Sequence, residues 1–167
     1  FEITLDVETT ENLKEIPQKA DAAVVLVIDN STSMNQLSGN EKPGKENETR
    51  MDAAKAAAKS FLDSFSQASG SKRMVSIVCF GTDSTRKLAW CDVTDPANLA
   101  TAKSAIDGIY APKDNGTNIE AGLQLAWNQI SQSEANSAIS DIENKNIVLL
   151  TDGMPTYYFK RGWQYGE

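Results

Sequence analysis

The stretch from Ala22 to Ser33 constrains this chain more than any other. The unbroken apolar run Ala22 to Ile28 reads as a buried strand, the kind that occupies the middle of a parallel sheet. It is followed at once by Asp29-Asn30-Ser31-Thr32-Ser33, which puts one carboxylate and two hydroxyls at alternate positions just past the strand end. Hard divalent cations take oxygen ligands, and Mg²⁺ favours compact octahedral sites in which several positions stay with water or with another molecule. The loop offers such oxygens, but too few to close a site.

Two further segments can complete it. Thr117 follows Asn115-Gly116 and opens a helical pattern, while Asp152 follows the apolar run Ile147 to Leu150 and Thr151 and precedes Gly153. In an open α/β sheet the loops at the carboxyl ends of parallel strands converge on one crevice. Strands ending near Ile28 and Thr151 therefore bring Asp29 and Asp152 together, with Thr117 arriving from a helix start on the same edge. The candidate oxygen donors are Asp29, Ser31, Ser33, Thr117 and Asp152.

With these residues in place, the chain resembles a von Willebrand factor A domain carrying a metal-ion-dependent adhesion site. The matching text is VVLVIDNSTSM, NGTNIEAGL and NIVLLTDGMPT, in the family's order and at compatible spacing. The resemblance runs from about Ala22 to Thr156. It is most like the A domains of Gram-positive surface proteins and pilus-tip adhesins. Two departures stand out: Thr32 sits where the family commonly has glycine, which is expected to alter access to the loop, and the family's last two strands and final helix are expected to be absent.

The resemblance implies a ligand set. Ser31, Ser33 and Thr117 would bind Mg²⁺ or Mn²⁺ directly, with Asp29 and Asp152 acting mainly through water, and a partner carboxylate would complete the octahedron. Each residue also has a simpler role open to it. Ser31 and Ser33 can satisfy backbone groups in a turn, Thr117-Asn118-Ile119-Glu120 spells a helix capping box, and Asp152-Gly153 is a common turn pair.

The rest of the chain reads as alternating strands and helices. Thr49-Arg50-Met51-Asp52 has capping-box spacing and opens a helix with Met51, Ala54, Ala58, Phe61, Leu62 and Phe65 on one face. Met74 to Phe80 and Arg86 to Trp90 form a hairpin, with Cys91 expected opposite a residue near Val75 and both thiols, Cys79 and Cys91, free. Asp95-Pro96 starts a helix reaching about Ile109, and Ile119, Leu123, Ala126, Trp127 and Ile130 make a further apolar stripe. The expected fold is α/β: a doubly wound, mostly parallel sheet with one antiparallel edge strand and helices on both faces, Rossmann-like and incomplete at its C-terminus. Residues 1–21, with an alternating strand over Phe1 to Val7, are assigned to a strand and connector, of an adjoining β-rich domain or packed on the side of this one, and 22–167 to the partial A domain. The aromatic stretch Thr156 to Glu167 is read as core packing rather than a partner surface.

Composition narrows the function. A net charge of -7 with no histidine among 167 residues argues against nucleic acid, a histidine-based zinc site or a Ser-His-Asp triad. No apolar run approaches the roughly 20 residues of a membrane span. A strand ending in Asp also occurs in aspartate-nucleophile phosphatases, but those carry Asp-x-Asp-x-Thr and this chain has Ser31 in place of the second acid, so no enzyme is expected. Of the sequons at Asn30, Asn47 and Asn115, the first and last overlap the proposed metal loops, where a glycan would obstruct the site. The expected function is an extracellular adhesion module of a bacterial surface or pilus, binding a host matrix or cell-surface protein. The alternative is an intracellular A-domain scaffold that couples a partner complex such as an AAA-type ATPase.

Overall fold

The computed structural model describes residues 20–39, 43–68, 70–132, 137–153, 155–160 and 163–166. The expected strand over Phe1 to Val7 and nearly all of its connector lie outside them. Strand β1 (Ala22–Asp29) is flanked by β2 (Arg73–Phe80) and β4 (Asn144–Leu150), both parallel to it, and β3 (Ser84–Asp92) pairs antiparallel to β2 at the edge. The sheet order is β3-β2-β1-β4. From Ala23 onward β1 is buried along its whole length, as an uninterrupted apolar run requires.

Helices cover both faces. On one, α1 (Arg50–Phe65) and α2 (Pro96–Asp107) bring Met51, Ala58, Leu62, Ala102 and Ile106 against Leu26, Ile28, Val75 and Ile77. On the other, α3 (Ile119–Ser131) packs Ala126 against Val25, Val27, Val78 and Phe80. Alternate residues of β1 and β2 thus serve opposite cores, the period-2 consequence of a pleated strand. The helix starts behave as their sequences dictate. Thr49 and Asp52 close a reciprocal capping box on α1, and the Asp95 carboxylate accepts from the Ala97 and Asn98 amides with Pro96 in the first turn of α2.

The hairpin register matches expectation, with Val75 opposite Cys91 and Cys79 opposite Thr85, and both cysteines are free thiols. The α3 stripe needs correction. Leu123 and Trp127 are exposed, and the buried face is Ala121, Gly122 and Ala126. The sheet selects the small residues because the helix approaches closely: a Cβ on Gly122 would stand 2.8 Å from the Phe80 ring. The aromatic stretch near the C-terminus forms a two-stranded antiparallel hairpin, β5 (Tyr157–Lys160) with β6 (Trp163–Gly166). Its Tyr158 is exposed, while Tyr157 is half-buried with its ring so near Gly116 that a Cβ there would lie 2.1 Å away. Among the described residues no helix is long and apolar enough to cross a membrane.

Candidate metal centre

The register of the parallel strands places the first two elements of the site. Ile28 of β1 is level with Leu150 of β4, so the chain leaves the sheet side by side at Asp29 and Thr151. Asp29 is fully buried. One carboxylate oxygen accepts the Ser31 backbone N–H at 2.7 Å, and the other accepts the Thr151 hydroxyl at 2.7 Å. Both donors are neutral, and none of the ion pairs among the described residues involves Asp29. A buried charge is ordinarily paired or bound to a metal. An anion held only by neutral donors is therefore a fit for a cation at this strand end.

The serines extend the arrangement toward β4. The Ser33 hydroxyl donates to Asp152 Oδ1 at 3.0 Å, and it lies 3.0 Å from the Ser31 hydroxyl. A hydroxyl has one proton, and Ser33 spends it on Asp152, so Ser31 donates to Ser33. Both serine oxygens keep lone pairs. Asp152 Oδ2 accepts from Arg50 at 2.6 Å. Sequence reasoning missed Arg50 and Thr151: Arg50 is 102 positions from its partner and reads simply as the first residue of a helix.

Thr117 requires a correction to its alternative role. The N-cap of α3 is Asn118, whose side-chain oxygen accepts the Ala121 amide at 3.0 Å, so the expected capping box is not built on Thr117. Thr117 is instead fixed by its backbone. Its N–H donates to the Thr156 hydroxyl at 2.9 Å, and its carbonyl accepts the Thr156 and Tyr157 amides. The side chain is buried, and among the described residues no hydrogen bond links its hydroxyl to the other four candidates. The structure therefore links Asp29, Ser31, Ser33 and Asp152 through adjoining side-chain and backbone contacts and sets Thr117 on a neighbouring loop.

Thr32 is what holds that loop in place. Its amide donates to Asn115 O at 2.9 Å, its hydroxyl accepts the Asn115 amide at 2.8 Å, and the hydroxyl lies 3.0 to 3.1 Å from the carbonyls of Pro112, Lys113 and Asn115. The departure from glycine is thus a tether between the serine loop and the threonine loop. Asn115 adds a second clasp, its amide donating to Asn30 O at 2.9 Å and accepting from the Thr82 N–H at 2.9 Å. Replacing Thr32 with glycine is expected to cost about 1.5 kcal/mol, from the lost hydrogen bond and the added chain freedom. Calorimetry should register a fall of about 4 °C in the unfolding midpoint, with Thr32→Ser retaining most of the stability.

Among the described residues no three His, Cys, Asp or Glu side chains gather as a ligand group. The candidate centre is accordingly two carboxylates and three hydroxyls. Such all-oxygen donors suit Mg²⁺ and similar hard ions rather than zinc or copper.

Comparison with known proteins agrees with this reading of the fold. The model of the von Willebrand factor type A domain matches residues 24–154. The vWF domain of the type V pili tip protein Mfa5 from Porphyromonas gingivalis is similar at 23% identity and a TM-score of 0.61, over 84% of this chain and 40% of that one. The PilB minor pilin from Streptococcus sanguinis is similar at 24% identity and a TM-score of 0.66, over 86% of this chain and 32% of that one. The pilus adhesin SpaC from Lactobacillus rhamnosus GG is similar at 21% identity and a TM-score of 0.59, over 88% of this chain and 18% of that one. The chain thus spans well under half the length of each of these proteins. No curated protein sequence matches it.

Proposed function

We propose, on the premise that the chain belongs to the von Willebrand factor type A domain family, that it is an extracellular adhesion module binding a protein ligand through a divalent cation, Mg²⁺ or Mn²⁺. The observation that carries the reading is Asp29, a fully buried carboxylate with two neutral donors. Similarity to pilus-tip and pilus-adhesin domains supports placement on a bacterial surface or pilus.

In this reading Ser31, Ser33 and Thr117 would be direct ligands and Asp29 and Asp152 would supply charge through bound water. The cation, when bound, provides an electrophilic centre for a carboxylate of the partner. The chain's own residues prepare that centre. Thr151 and the Ser31 amide fix both oxygens of Asp29, Ser33 orients Asp152, and Thr32 holds the threonine loop against the serine loop. Neutral hydroxyl ligands leave more of the ion's charge for the partner than carboxylate ligands would. The module is a binder, not an enzyme, since Ser31 stands where acid catalysis would need a second carboxyl group. The partner class is a host matrix or cell-surface protein.

Thermal unfolding in EDTA and then in Mg²⁺ or Mn²⁺ tests the reading. An ion that binds only the folded state stabilises it by about 2.7 kcal/mol at a hundredfold excess over its dissociation constant. For a chain of this size that is a rise of about 8 °C. The Ser31→Ala, Ser33→Ala double variant should fold and show no rise. An unresponsive wild-type chain would overturn the cation-dependent reading.

A further inference from the structure

We infer that Arg50 is a built-in counter-ion of the candidate site, holding Asp152 when no divalent cation is bound and competing with that cation for it, so that Arg50 sets the site's affinity. The inference rests on the cation-binding reading above and concerns a residue outside the five oxygen donors.

The two carboxylates of the site are treated differently. Asp29 has only neutral donors, whereas Asp152 carries a 2.6 Å ion pair with Arg50. Among the described residues this pair differs from three of the other four ion pairs, the fourth being the local Lys45–Glu48 pair, whose acid side chain is also little exposed. The acids bound by Lys59, Lys72 and Lys103 are more than half exposed, and such pairs are worth little, but the Asp152 side chain is only 10% exposed. Arg50 is placed with care. It opens α1 directly after the Thr49 cap, its amide donates to Gln36 O at 2.9 Å, and the Thr49 hydroxyl and N–H hold the Asp52 carboxyl below the usual carboxylate range as they close the capping box.

Charge decides the consequence. Two carboxylates and one guanidinium give the metal-free site a single surplus negative charge. A divalent cation turns that into a single surplus positive charge. Arg50 therefore weakens metal binding, and once the metal is bound it strengthens the pull on an incoming carboxylate. The guanidinium has room to move, because Arg50 and Asp152 line an open pocket of about 370 Å³ shared with Met34, Ala54 and Leu150.

The test is calorimetric titration of Mg²⁺ into the wild-type chain, Arg50→Gln and Arg50→Lys, together with their unfolding midpoints in EDTA. Arg50→Gln is expected to bind Mg²⁺ about tenfold more tightly, the order for removing one unit charge from beside a divalent ion in a water-like dielectric. Its midpoint in EDTA should fall by about 3 °C, because the empty site loses its counter-ion. Arg50→Lys, which keeps the charge, should stay within about threefold of the wild type, and high salt should shrink the glutamine effect. Unchanged or weaker Mg²⁺ binding by Arg50→Gln, with the wild type binding normally, would show that Arg50 merely positions Asp152 and overturns this inference alone. Absence of Mg²⁺ binding in all three proteins overturns the cation reading and this inference with it.

Discussion

Asp29→Ala is expected to lower the unfolding midpoint in EDTA by about 6 °C and to abolish any stabilisation by Mg²⁺. The loss of stability follows mainly from one orphaned buried donor. Without the carboxylate, the Ser31 amide and the Thr151 hydroxyl each lose a 2.7 Å acceptor; Ser31 is buried, whereas Thr151 is exposed and can turn to water. A buried polar group left unpaired costs about 1–3 kcal/mol, so the Ser31 amide accounts for about 2 kcal/mol. The sequence alone points to a variant that loses binding and stays folded. The burial of Asp29 changes that expectation, because the same carboxylate also ties the end of β1 to the residue that follows β4.

Asp29→Asn separates the two roles. The amide keeps an oxygen for the Ser31 N–H, and the Thr151 hydroxyl can turn to accept from the new NH₂ group, so most of the stability should survive. The charge does not survive, and the response to Mg²⁺ should vanish as it does in Asp29→Ala. Differential scanning calorimetry of both variants with and without Mg²⁺ decides the matter. Full Mg²⁺ stabilisation in Asp29→Asn would remove Asp29 from the cation site and leave it as a structural clasp.

What the sequence made legible was periodic or local. The apolar run of β1 and the Thr49 and Asp95 helix starts follow from residues within a few positions of one another, and the Val75 to Cys91 register from symmetry about a short hairpin turn. The thiols were legible in the same way, since a strand pair offset by its turn keeps Cys79 and Cys91 apart. Both are raised above their ordinary pKa by burial, with Asp92 adding to the effect at Cys91, and a raised pKa disfavours the reactive thiolate. Contacts between distant segments were not legible. Thr32 looked like an obstruction and is a tether; Arg50 looked like an ordinary helical residue and is the partner of Asp152. On α3, hydropathy favoured Leu123 and Trp127, but the space above Phe80 admits only Gly122 and its small neighbours.

That close approach ties the fold to the site, and Gly122→Val should expose the link. A Cβ at this position would meet the Phe80 ring at 2.8 Å, well inside contact distance, and a fully buried ring has nowhere to turn. Overpacking of this kind costs about 1–3 kcal/mol, and a β-branched residue sits at the upper end. The midpoint should fall by about 9 °C. The displacement would reach the metal loops, because Phe80 O accepts the Asn30 amide at 2.7 Å and Gly81 O accepts the Asn118 amide at 2.8 Å, beside Ser31 and Thr117 respectively. Weaker Mg²⁺ stabilisation should therefore accompany the loss of stability. Combining Gly122→Val with Phe80→Ala relieves the clash while leaving a smaller cavity, so the double variant should be more stable than the sum of the single costs predicts by at least about 1 kcal/mol. Strict additivity would mean that the helix accommodates the valine without pressing on the ring, and that α3 does not transmit the packing of the sheet to the threonine loop.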